Sequence, residues 1–243
     1  AYAAADTTRP GWLFLGDSVT MGSGVAPDST FAGRVAAGQD ALDVWNPSLI
    51  GYSSADYLRV LDTLISRKRL RRVSVLWCLN DVYAGLPIPA GPQGSRVLQS
   101  RWMGFVREHV FTYQWLKATL LDRQRAYYLH DRAYYLETDR HLRTAMEHLR
   151  RMADLTWARG LLFEVVLIPY EYQLRTGDAG PQRLLARLLR AQGVAVRDAW
   201  PDFARAGASR RLYLYGDGIH LSALGHRVMA DVLLRQPTSQ EAG

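Results

Sequence analysis

Apolar residues along the chain gather in five short runs that are bounded by turn residues or charges, as buried strands are. These runs cover residues 11–16, 42–46, 72–79, 161–168 and 194–197. They are nearly continuous rather than alternating, which is typical of parallel strands covered on both faces. The pattern therefore predicts a five-stranded parallel sheet.

Between these runs, apolar residues recur with the helical period of 3.6 residues. The predicted amphipathic helices cover residues 30–38, 53–69, 137–159, 180–192 and 222–234. Strands that alternate with helices indicate an α/β protein with right-handed crossovers. We therefore expect one domain over residues 1–243, a three-layer α/β/α sandwich whose sheet has helices on both faces.

One region departs from this alternation. Residues 86–136 replace a single crossover helix with a Pro- and Gly-containing loop and extra helical sequence, which predicts an insertion after the third strand. Within it RAYYL occurs twice, seven residues apart, at 125–129 and 132–136. On one helix this spacing places Tyr127 near Tyr134 and Tyr128 near Tyr135. We expect a tyrosine stripe that packs onto the domain, with a ligand-stacking surface as the alternative.

The net charge and its distribution limit the classes of partner that the chain is expected to bind. The formal net charge is +7, and residues 95–159 contribute 12 Arg or Lys against 7 Asp or Glu. This basic region is the candidate surface for docking a protein partner or a membrane surface. No zinc-finger spacing, RNA-binding signature or lysine-rich arm accompanies the charge, so we expect no nucleic-acid partner. The apolar runs are too short to span a bilayer.

Cysteine and histidine positions favour neither disulfide nor metal chemistry. Cys78 is the single cysteine, which excludes an intramolecular disulfide, and we expect it to be a small buried side chain. No HExxH motif or Cys/His cluster is present, so we predict no metal and no cofactor. Four histidines are expected at the surface or in an interface: His109, His130, His141 and His148.

Two further expectations concern the ends of elements. The basic run at 67–72 is interpreted as the solvated end of a helix, where cations favour the helix dipole, with an anion-docking patch as the alternative. The opening residues AYAAADTTRP lack a basic stretch followed by an apolar stretch, so no signal peptide is predicted in the given chain. A secreted or periplasmic location stays open on this evidence.

The segment GDSVTMGSG at 16–24 follows the first predicted strand directly and places Ser18 at its carboxyl end. Ligands of parallel α/β sheets bind at these ends. A serine hydroxyl becomes a nucleophile when a base removes its proton and a third group orients that base. Asp217 and His220, three residues apart in a Gly-containing turn, supply a carboxylate and an imidazole. These three residues are the candidate catalytic set.

An attacked carbonyl also needs hydrogen-bond donors for the negative charge that develops on its oxygen. Asn80 follows the third strand and offers a side-chain amide, while Gly51 follows the second strand and offers an unobstructed backbone N–H. The backbone N–H of Ser18 is the third candidate donor. An α/β-hydrolase would instead need a mid-chain Gly-x-Ser-x-Gly, which is absent.

Taken in order, these motifs resemble those of the SGNH (GDSL-type) hydrolases. The residues that carry the resemblance are Gly16-Asp17-Ser18, Gly51 in the segment from Asn46 to Gly51, Asn80-Asp81, and Asp217-x-x-His220. The third block usually reads Gly-x-Asn-Asp, and here Cys78 stands at the glycine position. The resemblance implies a flavodoxin-like fold, with Ser18 as nucleophile, His220 and Asp217 completing the triad, and Ser18, Gly51 and Asn80 forming the oxyanion hole.

Three functions compete at this point. The first is a serine esterase that hydrolyses acyl esters through an acyl-serine, and the resemblance implies an O-acetyl ester of a carbohydrate or small alcohol. The second is an O-acyltransferase that passes the acyl group to a glycan or another alcohol. The third is a catalytically silent glycan-binding module, which would not need a base matched to a nucleophile.

Overall fold

The chain is described here by a computed structural model that covers residues 9–83, 123–207 and 209–235. Its centre is a parallel sheet with the strand order β2-β1-β3-β4-β5. The strands are β1 Gly11–Leu15, β2 Asp43–Trp45, β3 Leu70–Trp77, β4 Leu162–Leu167 and β5 Ala195–Asp198. The predicted α/β class and all five predicted strands are confirmed, and the strand order is that of flavodoxin-like folds.

Helices cover both faces of this sheet. They are α1 Ser18–Met21, α2 Phe31–Gly38, α3 Ser54–Leu64, α4 Arg123–Arg132, α5 Arg140–Trp157, α6 Glu171–Thr176, α7 Gly180–Ala191, α8 Trp200–Ala206 and α9 Ala223–Leu234. Helix α2 packs against α9, and α3 packs against α5. In the part of the chain that the structure describes, no helix is both long enough and apolar enough to cross a membrane.

The sheet is buried over nearly all its length, which explains the continuous apolar runs. Every residue of β1 is buried, and so are the last five residues of β3. Cys78, which follows β3, is also buried, with 1% of its surface exposed, as predicted. Because both faces of a parallel sheet are covered by helices, alternation between apolar and polar positions has no physical reason to appear.

The helix predicted over 53–69 is shorter than expected. It begins with a reciprocal capping box between Ser53 and Asp56 and ends at Leu64, and the basic run at 67–72 forms a turn and the start of β3. The prediction that this basic run is the solvated end of a helix was therefore wrong. The buried side chain of Leu70 begins the strand. Helices α1, α6 and α8 were not predicted, because four to seven residues are too few to show a helical period.

The two RAYYL copies adopt different conformations, so the expected single tyrosine stripe is wrong. The first copy lies in α4, which ends at Arg132. Ala133, Tyr134 and Tyr135 then close turns through hydrogen bonds to residues three positions earlier. Tyr128 and Tyr135 are nevertheless both buried, while Tyr127 is exposed. Residues 86–122 of the predicted insertion lie outside the described residues, so the insertion and the single domain stay predictions.

Three of the four middle histidines, His130, His141 and His148, are half-buried at the surface, each with a contact to a neighbouring side chain. His130 and His141 both make edge-to-face contacts with the ring of Tyr134. The Nδ1 atom of His148 lies 3.0 Å from the hydroxyl of Ser54. The fourth, His109, lies outside the described residues.

A buried ionic cluster centred on Glu164 connects three strands of the sheet to a helix. Glu164 in β4 accepts hydrogen bonds from Arg72 (2.7 Å), from Ser74 (2.6 Å) and from Arg197 (3.2 Å). Arg197 also donates to the carbonyl oxygen of Val232 near the end of α9 at 2.7 Å. One carboxylate therefore compensates two arginines, and the cluster connects β3, β4, β5 and α9.

We predict that Glu164→Ala will lower the free energy of unfolding by about 3–5 kcal/mol, because it leaves the buried guanidinium of Arg197 and the half-buried guanidinium of Arg72 without their counter-charge. Urea unfolding followed by circular dichroism measures this change. Glu137→Ala is the matched control, since Glu137 and its partner Arg187 are both exposed. That control should cost about 1 kcal/mol or less. Equal losses for the two variants would contradict a structural role for the cluster.

Candidate active site

The first turn after β1 is built around close contacts. A Cβ atom on Gly16 would lie 1.9 Å from the hydroxyl oxygen of Thr20, so only glycine fits there. The next residue, Asp17, is buried and caps the short helix α1, accepting the backbone N–H of Val19 at 2.9 Å. The turn thereby holds Ser18 at the carboxyl end of β1 as the first residue of α1.

Ser18 meets the two residues that were predicted to join it. The Oγ atom of Ser18 lies 2.8 Å from Nε2 of His220, and Nδ1 of His220 lies 2.9 Å from Oδ2 of Asp217. Hydroxyl, imidazole and carboxylate thus form one continuous hydrogen-bonded chain. Such a chain can move the hydroxyl proton onto the imidazole while the carboxylate stabilises the resulting charge.

The loop that carries Asp217 and His220 is shaped by its glycines and by its own hydrogen bonds. Gly216 and Gly218 have φ angles of 73° and 78°, a region that disfavours other residues. The second carboxylate oxygen of Asp217 accepts the backbone N–H groups of Ile219 (2.8 Å) and His220 (2.7 Å). The orienting carboxylate is therefore itself fixed on both oxygens.

Electrostatics in this chain favour a charged pair once a proton arrives. The hydrogen bond that His220 donates to Asp217 raises the pKa of His220 above its ordinary value, although burial opposes the shift. Burial alone would raise the pKa of Asp217, but the hydrogen bonds and charge of His220 outweigh it, so that pKa is lowered. Asp217 therefore stays ionised and His220 is a stronger base than a free imidazole.

A second histidine near the end of the chain does not reach Ser18. His226 in α9 is buried, and its Nδ1 atom accepts the backbone N–H of Phe31 at 3.1 Å. Burial, assisted by the charge of Arg34, lowers the pKa of His226 to about 4. This histidine links α9 to α2 as a neutral acceptor.

Asn80 comes close to the nucleophile through the neighbour of Ser18. Its Nδ2 atom donates to Oδ2 of Asp17 at 2.9 Å. An amide nitrogen carries two hydrogens, and this bond uses one of them. Asp17 is adjacent to Ser18, so this bond ties the side chain of Asn80 to the turn that carries Ser18, and the second hydrogen is left for another acceptor.

Gly51 stands in the loop after β2 with a φ angle of 81°, exposed and with open space where a Cβ atom would be. Among the described residues its backbone N–H has no hydrogen-bond partner. Asn46 joins this loop to α1, because its side-chain amide donates to the carbonyl oxygen of Thr20 at 2.7 Å. The structure thus places the loop of Gly51 beside the turn that carries Ser18.

Behind Asn80, a buried turn explains the residues that flank it. Asp81 is buried and accepts hydrogen bonds from the hydroxyl of Tyr57 (2.6 Å) and from the backbone N–H of Cys78 (2.7 Å). Burial, together with the charge of Asp17, raises the pKa of Asp81 well above its ordinary value. Asp81 shapes the turn, and the buried Cys78 side chain belongs to the core.

Two residues near Asn80 were missed by sequence reasoning. The hydroxyl of Tyr170 lies 3.2 Å from the backbone nitrogen of Asn80 and 3.1 Å from its Oδ1 atom, and it donates to Asp131 at 2.7 Å. Tyr170 follows β4, so its position at a strand's carboxyl end was the signal available for it. Asp131 lies in α4, where the sequence carried no such signal.

The part of the chain that the structure describes contains no group of three or more His, Cys, Asp or Glu side chains arranged to hold a metal ion. The absence of a metal and of a cofactor stays a prediction.

Comparison with known proteins gives a family and a fold. The family model of the GDSL-like lipase/acylhydrolases matches residues 14–228. No curated protein matches the chain. Similar solved structures include a lipase from a goat rumen metagenome, with 16% identity and a TM-score of 0.56 over 92% of this chain and 95% of that one.

Two further structures have the same fold. A lipolytic protein of the G-D-S-L family from Veillonella parvula has 12% identity and a TM-score of 0.55 over 93% of this chain and 96% of its own. A psychrotrophic esterase from Pseudoalteromonas has 15% identity and a TM-score of 0.53 over 92% and 93%. Since the family model spans most of the chain, the protein belongs to the GDSL-like lipase/acylhydrolase family and is a serine hydrolase.

Proposed function

We propose that the protein is an esterase whose nucleophile is Ser18. The observation that carries the proposal is the continuous hydrogen-bonded chain from Ser18 through His220 to Asp217, with contacts of 2.8 Å and 2.9 Å. Ser18 Oγ attacks the ester carbonyl carbon while its proton passes to Nε2 of His220. The tetrahedral intermediate then expels the alcohol, which takes that proton and leaves an acyl-Ser18.

Water completes the cycle by the same route. It attacks the acyl carbon and gives a proton to His220, and the second tetrahedral intermediate releases the acid as Ser18 Oγ takes the proton back. In both halves the carbonyl oxygen becomes negative. We assign its stabilisation to the backbone N–H groups of Ser18 and Gly51 and to the side-chain amide of Asn80.

The alcohol part of the substrate must lie on the side of His220, because Nε2 of His220 protonates the leaving oxygen. A cleft on that side is lined by Tyr127, Tyr215, Gly216, Asp217, Ile219 and His220. The rings of Tyr127 and Tyr215 are 40% and 76% exposed. Aromatic rings beside a catalytic base offer flat apolar surfaces on which the C–H face of a sugar packs while its hydroxyls stay hydrated.

We therefore propose an O-acetylated carbohydrate as the substrate. The same cleft could seat an acceptor alcohol whose proton His220 removes, which keeps O-acyl transfer to a glycan as the second candidate. The two reactions share the acyl-Ser18 and differ in whether water or the sugar hydroxyl resolves it. An assay that weighs free acetate against acetylated acceptor by mass spectrometry separates them.

We predict that Ser18→Ala will reduce hydrolysis of p-nitrophenyl acetate to the uncatalysed background and will abolish labelling by a fluorophosphonate, since both need the hydroxyl as nucleophile. Ser66→Ala, at an exposed serine in the turn after α3, is the matched control and should keep both. p-Nitrophenyl octanoate tests the acyl group, because exposed Leu49 and Ile50 next to Gly51 would contact a long chain. If the octanoate ester is turned over faster than the acetate ester, the proposed acyl group is a long chain and not acetyl.

The pH dependence follows from the role of His220, which must be neutral to accept the proton of Ser18. We predict that kcat/KM rises with pH and that the midpoint lies above about 6.5, since Asp217 raises the pKa of His220. Asp217→Asn should move the midpoint down and lower kcat by roughly a hundredfold or more. Asp62→Asn, at an exposed position of α3, should change neither. A flat profile between about pH 5 and 8 would rule out His220 as the base.

The tyrosine cleft is tested with two substrates of different alcohols. We predict that Tyr127→Ala combined with Tyr215→Ala lowers kcat/KM for an O-acetylated xylo-oligosaccharide by about tenfold, since each ring contributes about 0.5–1.5 kcal/mol of contact. The same variant should change kcat/KM for ethyl acetate by less than about twofold, because that alcohol does not reach the rings. Phe at both positions keeps the rings and should retain most of the sugar activity. Equal losses on both substrates would contradict a sugar subsite.

A further inference from the structure

A buried carboxylate that the proposed reaction does not use lies in α4. Asp131 is 3% exposed, and its two oxygens accept hydrogen bonds from the hydroxyls of Tyr83 and Tyr170, the latter at 2.7 Å. Burial raises the pKa of Asp131, while the two tyrosine hydrogen bonds and the charge of His130 oppose that rise. A carboxylate in such a place is costly unless its hydrogen bonds compensate it.

The second hydrogen-bond partner of Asp131, Tyr170, connects Asp131 to Asn80 in the candidate active site. Tyr170 is 1% exposed, and its hydroxyl oxygen lies 3.2 Å from the backbone nitrogen of Asn80 and 3.1 Å from Asn80 Oδ1. A tyrosine hydroxyl has one proton, which the ionised carboxylate of Asp131 binds more strongly than an amide oxygen does. The hydroxyl oxygen is then oriented to accept the backbone N–H of Asn80.

Asn80 is held from the opposite side as well. Its Nδ2 atom donates to Asp17 at 2.9 Å in front, while its backbone N–H donates to the hydroxyl of Tyr170 behind at 3.2 Å. The first contact holds the side-chain amide, and the second holds the backbone that carries it. Oxyanion stabilisation depends on a donor that is oriented before the reaction begins.

Helix α4 also contacts the loop that carries the base. A Cβ atom on Gly218 would lie 2.5 Å from the side chain of Gln124, so the first turn of α4 packs directly on this loop. The same helix therefore touches the surroundings of His220 at one end and reaches Asn80 at the other. This placement gives Asp131 a fixed position relative to the reacting groups.

Resting on the function proposed above, we propose that Asp131 is a positioning residue: through the hydroxyl of Tyr170 it orients Asn80, so that the free amide hydrogen faces the oxygen that becomes negative. Asp131→Asn keeps the shape but turns an N–H toward one of the two tyrosine hydroxyls. Tyr170→Phe removes the connection to Asn80 itself. Either change loosens the oxyanion donor without touching Ser18, His220 or Asp217.

The test is a double-mutant cycle on p-nitrophenyl acetate at one fixed pH, chosen on the alkaline plateau of the wild-type kcat/KM profile. Asn80→Ala should lower kcat about a hundredfold. Asp131→Asn and Tyr170→Phe should each lower kcat about tenfold with KM within about twofold, since a displaced donor acts on the transition state. In the Asn80→Ala background each should cost less than about twofold, because the residue through which they act is gone.

Tyr128→Phe is the matched control. It removes the hydroxyl of another buried tyrosine, three residues before Asp131 in α4, but that hydroxyl faces the carbonyl oxygen of Asp178 rather than Asn80. It should leave kcat unchanged, and thermal unfolding and circular dichroism show that each variant is folded. If Asp131→Asn fails to fold, the cycle with Tyr170→Phe decides the question.

Equal losses in the wild-type and Asn80→Ala backgrounds would overturn the positioning role, as would full activity of both folded variants. These outcomes leave the proposed esterase intact. A wild-type chain that neither turns over esters nor labels at Ser18 would overturn the proposed function and the positioning role together.

Discussion

The hydrogen bond between Ser18 and His220 joins side chains 202 residues apart and is the contact on which the proposed chemistry depends. The sheet brings these two side chains together. Ser18 lies at the carboxyl end of β1, and the chain after β5 places a glycine-containing loop at the same edge of the sheet. Because the neighbouring groups are held by backbone hydrogen bonds, the contact needs no further rearrangement before the nucleophile is activated.

The residues around this contact come from the carboxyl ends of several strands. Turns after β1, β2 and β3 carry Ser18, Gly51 and Asn80. Tyr170 lies three residues after β4 and supports Asn80 from behind. Two buried carboxylates close to the site are paired: Asp17 caps α1 and binds Asn80, and Asp81 shapes the turn beneath. The site is thus a set of turns whose geometry is determined by buried hydrogen bonds, consistent with preorganised stabilisation of charge.

Sequence reasoning located the strands, the long helices and the members of the candidate site because each leaves a local signal. Buried parallel strands are apolar runs, and Asn80, Gly51 and the pair Asp217 and His220 follow such runs or sit in Gly-containing turns. Sequence reasoning failed where the residues that determine the structure are few or lie far apart in the chain. Helix α3 ends five residues before its predicted end, and the second RAYYL copy leaves the helix so that Tyr135 reaches the core.

By itself the sequence determined the α/β alternation, the parallel sheet and which residue types are available for acyl chemistry, since hydrophobic period and turn chemistry are properties of neighbouring residues. Only the tertiary structure decided the distances at which Ser18, His220 and Asp217 meet, and that Asp131 reaches Asn80 through Tyr170. These contacts join distant segments. Their distances follow from how helices pack on the sheet, which no local pattern encodes.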